Sequence, residues 1–271
     1  MESYLKICIK TSSTDESEIM IAALSEIEFY AFEQEENLLN AYIKSEDFDE
    51  NKLKETVSET NCYSKEIIQK ENWNLQWENS IEPVVIHNFA AIRPSFSKPI
   101  NTVKYDLVIT PKMSFGTGHH ATTFLMIEAM ENIDFKNKRV IDFGTGTGVL
   151  AILAEKCGAK KITAIDNDEW SINNAFENID VNNCKNIIIE KRNDVSEMEP
   201  ADIILANINL NVLAEAALSL SHLLKPGALL LISGFLVEDQ NEMQNIFGAK
   251  SVFKKERYQK NGWMAILFQR M

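Results

Sequence analysis

From Val140 onward the chain repeats one pattern, a short apolar run, a turn, then a helical run. Val140 to Phe143 reads as a strand, Val149 to Cys157 as a helix closed by Gly158, and Ile162 to Ile165 as a strand ending on Asp166. A helix from about Asp168 to Ile179 follows, then strands over Asn186 to Glu190 and Ile203 to Ala206. Next come a helix from about Val212 to Leu224, a Lys225-Pro-Gly turn, a strand from Leu229 to Ser233 and a helix from about Glu238 to Phe247. Two final runs, Ser251 to Gln259 and Trp263 to Gln269, flank Asn261-Gly262, a strong hairpin signal. Strands alternating with helices predict an α/β, Rossmann-like fold, a mostly parallel sheet finished by an antiparallel hairpin.

The front of the chain patterns differently. Tyr4 to Ile9 alternates as a strand, and Thr14-Asp-Glu-Ser-Glu starts a helix whose acids suit the helix dipole. Ile19, Ala23 and Ile27, with Met20 and Leu24 beside them, form its expected apolar face. Strands over Phe29 to Phe32 and Leu38 to Ile43 are joined by a polar turn at Gln34 to Asn37; a helix over about Phe48 to Glu59 and a strand near Ile67 follow. That order predicts a small α+β, ferredoxin-like domain over residues 1–66. Residues 67–111 read as a linker and lead-in strands. Trp73 and Trp77 are one helical turn apart there, and Pro83, Pro94 and Pro99 break up the extended segments Val84 to Ile92 and Val103 to Ile109. Residues 112–271 make the main domain.

Charge sharpens this division. The chain of 271 residues carries −13, of which −9 lies in residues 1–70, where seven Lys face sixteen acids. An acidic front domain repels a nucleic-acid backbone and attracts a basic partner, so direct nucleic-acid binding is not expected. Cys8, Cys62, Cys157 and Cys184 are scattered without a C-x-x-C pair, as in a reducing compartment. No signal-like or membrane-length apolar segment is present, so a cytoplasmic monomer without membrane attachment is expected. His119 and His120 are adjacent, point in different directions and lack an i+4 ligand, so no metal site is expected.

The chemistry gathers around the first βαβ unit. Asp142 precedes glycines at 144, 146 and 148, and Asp166 ends the next strand eighteen residues beyond Gly148. Glycines let the backbone turn and a cofactor approach, and the strand-end acid is placed to accept from ribose hydroxyls. Dinucleotide sites favour G-x-G-x-x-G; here the spacing is D-x-G-x-G-x-G, and an acid beside the loop suits a cofactor bearing an ammonium. The pattern resembles the first motif of S-adenosylmethionine-dependent methyltransferases. A second glycine loop, Lys112 to Thr123, lies just upstream and can fold over the crevice. Downstream, Asp202-Ile-Ile-Leu-Ala-Asn-Ile-Asn delivers Asn207 to the same sheet edge. Asn207, Asn209 and Asn211 all suit a helix cap; we assign capping to Asn209 or Asn211 and a site role, accepting from a substrate amine, to Asn207.

Three segments, Met113-Ser-Phe-Gly-Thr-Gly-His-His-Ala-Thr-Thr, Val140-Ile-Asp-Phe-Gly-Thr-Gly-Thr-Gly and Ala206-Asn-Ile, resemble the bacterial PrmA family. The lead-in Asn72-Trp-Asn-Leu-Gln-Trp-Glu is similar to that family's linker. The resemblance implies a class I methyltransferase that trimethylates lysine ε-amines and an N-terminal α-amine of protein eleven of the large ribosomal subunit, with the front domain recognising that protein. It implies cofactor contacts at Thr123, Gly144, Asp166 and Asn207. Thr145 stands where many members have cysteine, and Thr110 where an acid is common. Beside these, Phe115 is a candidate for a cation–π contact to the sulfonium, with packing as the alternative, and Asp194 for the adenine amino group. Without a His–Asp or paired-carboxylate base, positioning of a neutral amine is the expected mechanism. The alternatives are an RNA or small-molecule N-methyltransferase on the same fold, or a cofactor-binding module without catalysis. The Asn/Asp-Pro-Pro-Tyr of many nucleic-acid enzymes is absent at Asn207-Ile-Asn-Leu.

Overall fold

The computed structural model describes residues 3–35, 38–57, 63–69, 82–110 and 116–271, and divides into two compact units, Met1–Ser80 and Ile81–Met271. Trp73, Trp77 and Phe115 lie outside the described residues. The first unit runs β1 (Ser3–Lys10), α1 (Thr14–Ser25), β2 (Ala31–Glu35), β3 (Leu38–Lys44), α2 (Glu50–Thr56) and β4 (Tyr63–Gln69). Its sheet has the order β2-β3-β1-β4 with every pairing antiparallel, which is the ferredoxin-like arrangement. The Ser13 hydroxyl accepts from the Glu16 amide, and the Glu16 carboxylate reaches back to Ser12, so α1 starts where the Thr14 signal put it. Its buried face differs from expectation. Ser17, Met20 and Leu24 point into the core with Ile7, Ile9 and Leu39, while Ile19 is 72% exposed. The residues at spacing 17, 20, 24 define one stripe, and Ile19 falls a third of a turn off it.

The second unit opens with β5 (Val84–Ile86), β6 (Ala90–Arg93) and β7 (Tyr105–Val108), a three-stranded sheet in that order. The segment expected to be extended from Val84 to Ile92 is a hairpin, turned at His87, whose φ is 49°. Then follow α3 (Ala121–Met130), β8 (Arg139–Phe143), α4 (Val149–Lys156), β9 (Lys161–Asp166), α5 (Glu169–Val181), β10 (Ile187–Lys191), β11 (Ala201–Asn207), α6 (Leu210–Leu223), β12 (Leu224–Leu236), α7 (Gln240–Gly248), β13 (Val252–Lys260) and β14 (Trp263–Arg270).

These strands form one sheet in the order β10-β9-β8-β11-β12-β14-β13. The first five are parallel and β14 is antiparallel to both its neighbours. The order reverses between β8 and β11, so a crevice opens there beyond the carboxyl ends of the strands. Asn261 and Gly262 both have positive φ, as the hairpin turn requires. Lys225-Pro-Gly does not end a helix and start a strand afresh. Leu224 already pairs with Ala201, and the register then jumps to Leu229 opposite Ile203, so the tripeptide is a bulge inside β12. Two apolar layers sandwich the sheet, one with Leu125, Leu150, Leu153 and Ile162, the other with Ile204, Leu213, Leu220 and Phe247.

Candidate functional site

A cavity of about 470 Å³ sits in the crevice, and each parallel strand delivers a wall residue close to its carboxyl end or just past it. Phe143 and Gly144 come from β8, Asp166 from β9, Arg192 from β10, Asn207 from β11 and Gly234 from β12. His120 and Thr122 enter from the start of α3, and Trp263 from β14.

The glycine loop is tied to the next strand before any ligand arrives. Gly144 and Thr145 amides both donate to the Ile165 carbonyl, at 2.9 and 3.0 Å. Asp166 holds the loop from the other side: its carboxylate accepts from the Gly146 amide at 2.9 Å and from the Asp168 amide at 3.0 Å. Those two donors leave lone pairs free on a carboxylate that faces the cavity. Gly148 then opens α4 with φ of 81°.

Asp142 lies beneath the loop rather than on the cavity wall, at 1% exposure. Its Oδ2 accepts from the Thr145 hydroxyl at 2.7 Å, and its Oδ1 has no hydrogen-bond partner. Burial pushes its carboxyl up to about 7; the Thr145 hydroxyl and the Ala151 amide pull it back, and the Asp166 charge adds to the rise.

Asn207 forms the opposite wall. Its Nδ2 donates to Thr123 Oγ1 at 3.4 Å, and its Oδ1 is buried without a partner. Thr123 is fully buried and does not line the cavity, so it reaches the site through Asn207. Asn209, not Asn211, caps α6, accepting from the Val212 amide at 3.1 Å. The His120 side chain accepts from the Thr122 amide as the cap of α3, and its ring meets Trp263 edge-on at 4.7 Å.

Of the residues singled out from sequence, Gly144, Gly146, Asp166 and Asn207 meet around the cavity. Thr123 and Asp142 stand behind it, bonded to Asn207 and Thr145, while Gly148 packs against Ala175 and does not line it. Asp194 does not join them. Its carboxylate accepts from the Ser196 amide at 2.8 Å and from the Ser196 hydroxyl, which holds its pKa below the usual range, and Asn193 and Arg192 line the cavity in its place. Among the described residues no cluster of His, Cys, Asp and Glu could hold a metal ion.

Sequence reasoning missed a buried ladder on α5. Asn174, Asn178 and Asn182 recur every fourth residue and are all within 5% exposure. Asn178 donates to the Thr147 carbonyl at 2.8 Å and accepts from the Thr110 amide at 2.9 Å; Asn182 bonds both backbone groups of Val108. The ladder thus fastens the glycine loop and β7 to one helix. Its signal was present as three asparagines at helical spacing, an arrangement poor in helix propensity that points to a specific use.

Comparison with known proteins places these features. A family model described as Ribosomal protein L11 methyltransferase (PrmA) matches residues 6–271. A protein of Bacteroides thetaiotaomicron named ribosomal protein L11 methyltransferase is 36% identical, over 98% of this chain and 99% of its own length. Its namesake in Chlorobaculum parvum is 35% identical over 98% of this chain and 96% of its own. The crystal structure of a ribosomal protein L11 methylase from Lactobacillus delbrueckii subsp. bulgaricus superimposes with a TM-score of 0.65 at 25% identity, over 70% of this chain and 99% of that one. A Pyrococcus furiosus methyltransferase shares the fold at a TM-score of 0.51 and 18% identity, over 60% of this chain and 89% of its own.

Proposed function

The chain belongs to the ribosomal protein L11 methyltransferase (PrmA) family, and from that premise we propose that it moves methyl groups from S-adenosylmethionine to lysine ε-amines and the N-terminal α-amine of ribosomal protein L11. The observation that carries this reading is the Asn207 side-chain oxygen, buried and without a partner on the cavity wall. An unpaired buried acceptor costs about 1–3 kcal/mol, and an amine N–H supplied by a ligand removes that cost.

The residues present fit the cofactor. Asp166 keeps acceptor capacity toward the cavity for ribose hydroxyls, Gly144 and Gly146 leave room for close approach, and Asp142 places a carboxyl behind the loop. When bound, S-adenosylmethionine supplies a methyl group activated by its sulfonium for in-line displacement. The protein has to present a neutral amine to it. A free lysine with a pKa of ~10.4 is mostly protonated at pH 7, so neutralising it costs roughly 4–5 kcal/mol. Burial in the crevice favours the neutral form, and Asn207 Oδ1, accepting an amine N–H, aims the lone pair away from itself. Thr123 fixes the Asn207 amide from behind. The acidic first unit, Met1–Ser80, recognises the basic substrate protein, and the setting is cytoplasmic. Among the described residues no helix is long and apolar enough to cross a membrane.

Labelled-methyl transfer to purified ribosomal protein L11, ribosomal RNA and free lysine tests the reading. Label is expected on the protein alone. Asn207→Ala should lower transfer by about 10²-fold or more while cofactor affinity falls less. Label on RNA, or unchanged turnover in the variant, refutes it.

A further inference from the structure

The five parallel strands that end at the catalytic crevice all begin at a second concavity, of about 520 Å³, at the opposite end of the sheet. Arg139 is the first residue of β8, Lys161 the first of β9, Lys225 the second of β12, and Lys185 lies two residues before β10. Lys160 completes five cations, with Asp202 the one carboxylate among the lining residues. The catalytic cavity, by contrast, holds one carboxylate and one arginine. In a chain of net charge −13 this is a local reversal of sign.

The acids near it are already engaged. Asp202 accepts from Lys225 Nζ at 2.8 Å and from the Arg139 amide at 2.8 Å, and Glu199 pairs with the Arg139 guanidinium and, at 3.6 Å, with Lys161. The Glu155 carboxylate accepts the Lys185 and Asn186 backbone amides at 2.7 and 2.9 Å, and the Lys160 and Lys185 ammonium groups have no carboxylate partner among the described residues. A bland account is that these lysines offset the negative carboxyl ends of the helices that finish at this edge. That effect fades beyond the last helical turn. Lys160 stands four residues past the end of α4 and Lys185 four past the end of α5.

We propose that this concavity is a second, non-catalytic binding site for an anion carrying two or more linked phosphates. Its volume is in the range of small-ligand sites and exceeds what one phosphate fills. Convergent ammonium and guanidinium groups bind phosphate oxygens through charge-assisted hydrogen bonds. The exposed Ile188 side chain and the Asn137 and Asn186 amides, also among the lining residues, suit an organic group attached to those phosphates. The site shares no residue with the catalytic cavity, so it is independent of which amine is methylated.

Calorimetric titration of the full chain with pyrophosphate, and separately with a short oligoadenylate, at matched ionic strength, tests this. Both Lys160 and Lys185 are exposed, so K160A/K185A should fold normally. Pyrophosphate is expected to bind, with affinity reduced about tenfold or more in that double variant and retained in K160R/K185R. Binding of oligoadenylate alone, with the same loss, also supports the site and identifies a polymer backbone as the source. Neither ligand binding beyond the ionic-strength control, or equal binding by wild type and K160A/K185A, overturns it.

Discussion

The stability advantage of Asp142→Asn over the wild-type chain should grow as pH rises. The Asp142 carboxyl is raised from 3.8 to about 7 because it is buried, with Asp166 adding like charge and only the Thr145 hydroxyl and Ala151 amide opposing. Between those two pH values the folded chain holds a proton that the unfolded chain has released. Stability therefore falls with pH across the window, by about 1.4 kcal/mol per unit, and levels off above about pH 7. Integrated over the shift, the raised carboxyl costs roughly 4 kcal/mol at pH 8, where it is ionised, and roughly 1.6 kcal/mol at pH 5, where it is held protonated. Asparagine has the same shape, can still accept from Thr145 and never ionises. Other carboxylates, such as Asp168 and Asp202, are lowered by their partners and give slopes of the opposite sign, so the difference between the two proteins is the informative quantity. Urea unfolding of both, followed between about pH 5 and pH 8, should show the gap widening by about 3 kcal/mol in favour of the variant. A gap that stays flat over that range refutes the assignment of a raised pKa to this group.

Three further substitutions probe how the site is held. Asn178→Ala strips the Thr147 carbonyl and Thr110 amide of their partners, so unfolding free energy should drop by about 2–5 kcal/mol, and cofactor titration should show weaker binding through the loosened loop. Gly234→Ala places a methyl into the Ile208 backbone at φ of 104°, so it should cost more than about 2 kcal/mol by the same unfolding measurement and reduce methyl transfer, whereas Gly227→Ala meets no atom within 4 Å and should cost less. The isolated second unit, residues 81–271, should bind S-adenosylmethionine with near-native affinity in calorimetry yet lose methylation of the protein substrate; normal methylation by this fragment refutes recognition by the first unit.

The parts of this site that were legible in the sequence are those written in backbone terms. The apolar runs around Gly144 and Asp166 could only be strand, loop, helix and strand, and that unit forces its glycines and acid to one sheet edge. Asn207 was placed by the same rule, since any residue ending a neighbouring parallel strand arrives at that edge. Ile19 misled because a continuous apolar stretch, Ile19 to Leu24, offers several possible stripes, and packing against Ile7 and Leu39 selects one. Asp194 follows a strand, as its pattern indicates, but its carboxylate turns onto Ser196 two residues away, a local bond the strand pattern does not encode. The Asn174–Asn178–Asn182 ladder could be seen as a spacing, yet its partners at Val108, Thr110 and Thr147 are 31 to 74 residues distant.

What no single motif revealed is how Asn207 is kept in place. Gly144 and Gly234 come from different strands, and a Cβ on either would collide with the same residue, Ile208. The two glycines therefore serve β11 as much as they serve a ligand: they admit Ile208 as a wedge between the loop after β8 and the Gly234 stretch of β12, where the register against β14 shifts between Ser233 and Phe235. Ile208 donates its amide to the Ser233 carbonyl at 3.2 Å, which locks the wedge. Asn207, one residue earlier, then has its backbone fixed and its amide braced by Thr123. In the role proposed for Asn207, an acceptor held this firmly would lose little freedom when an amine docks, which is the condition for orientation to accelerate transfer. Substitutions at Gly144 should accordingly lower turnover as well as cofactor affinity, although Gly144 offers no side chain to the amine.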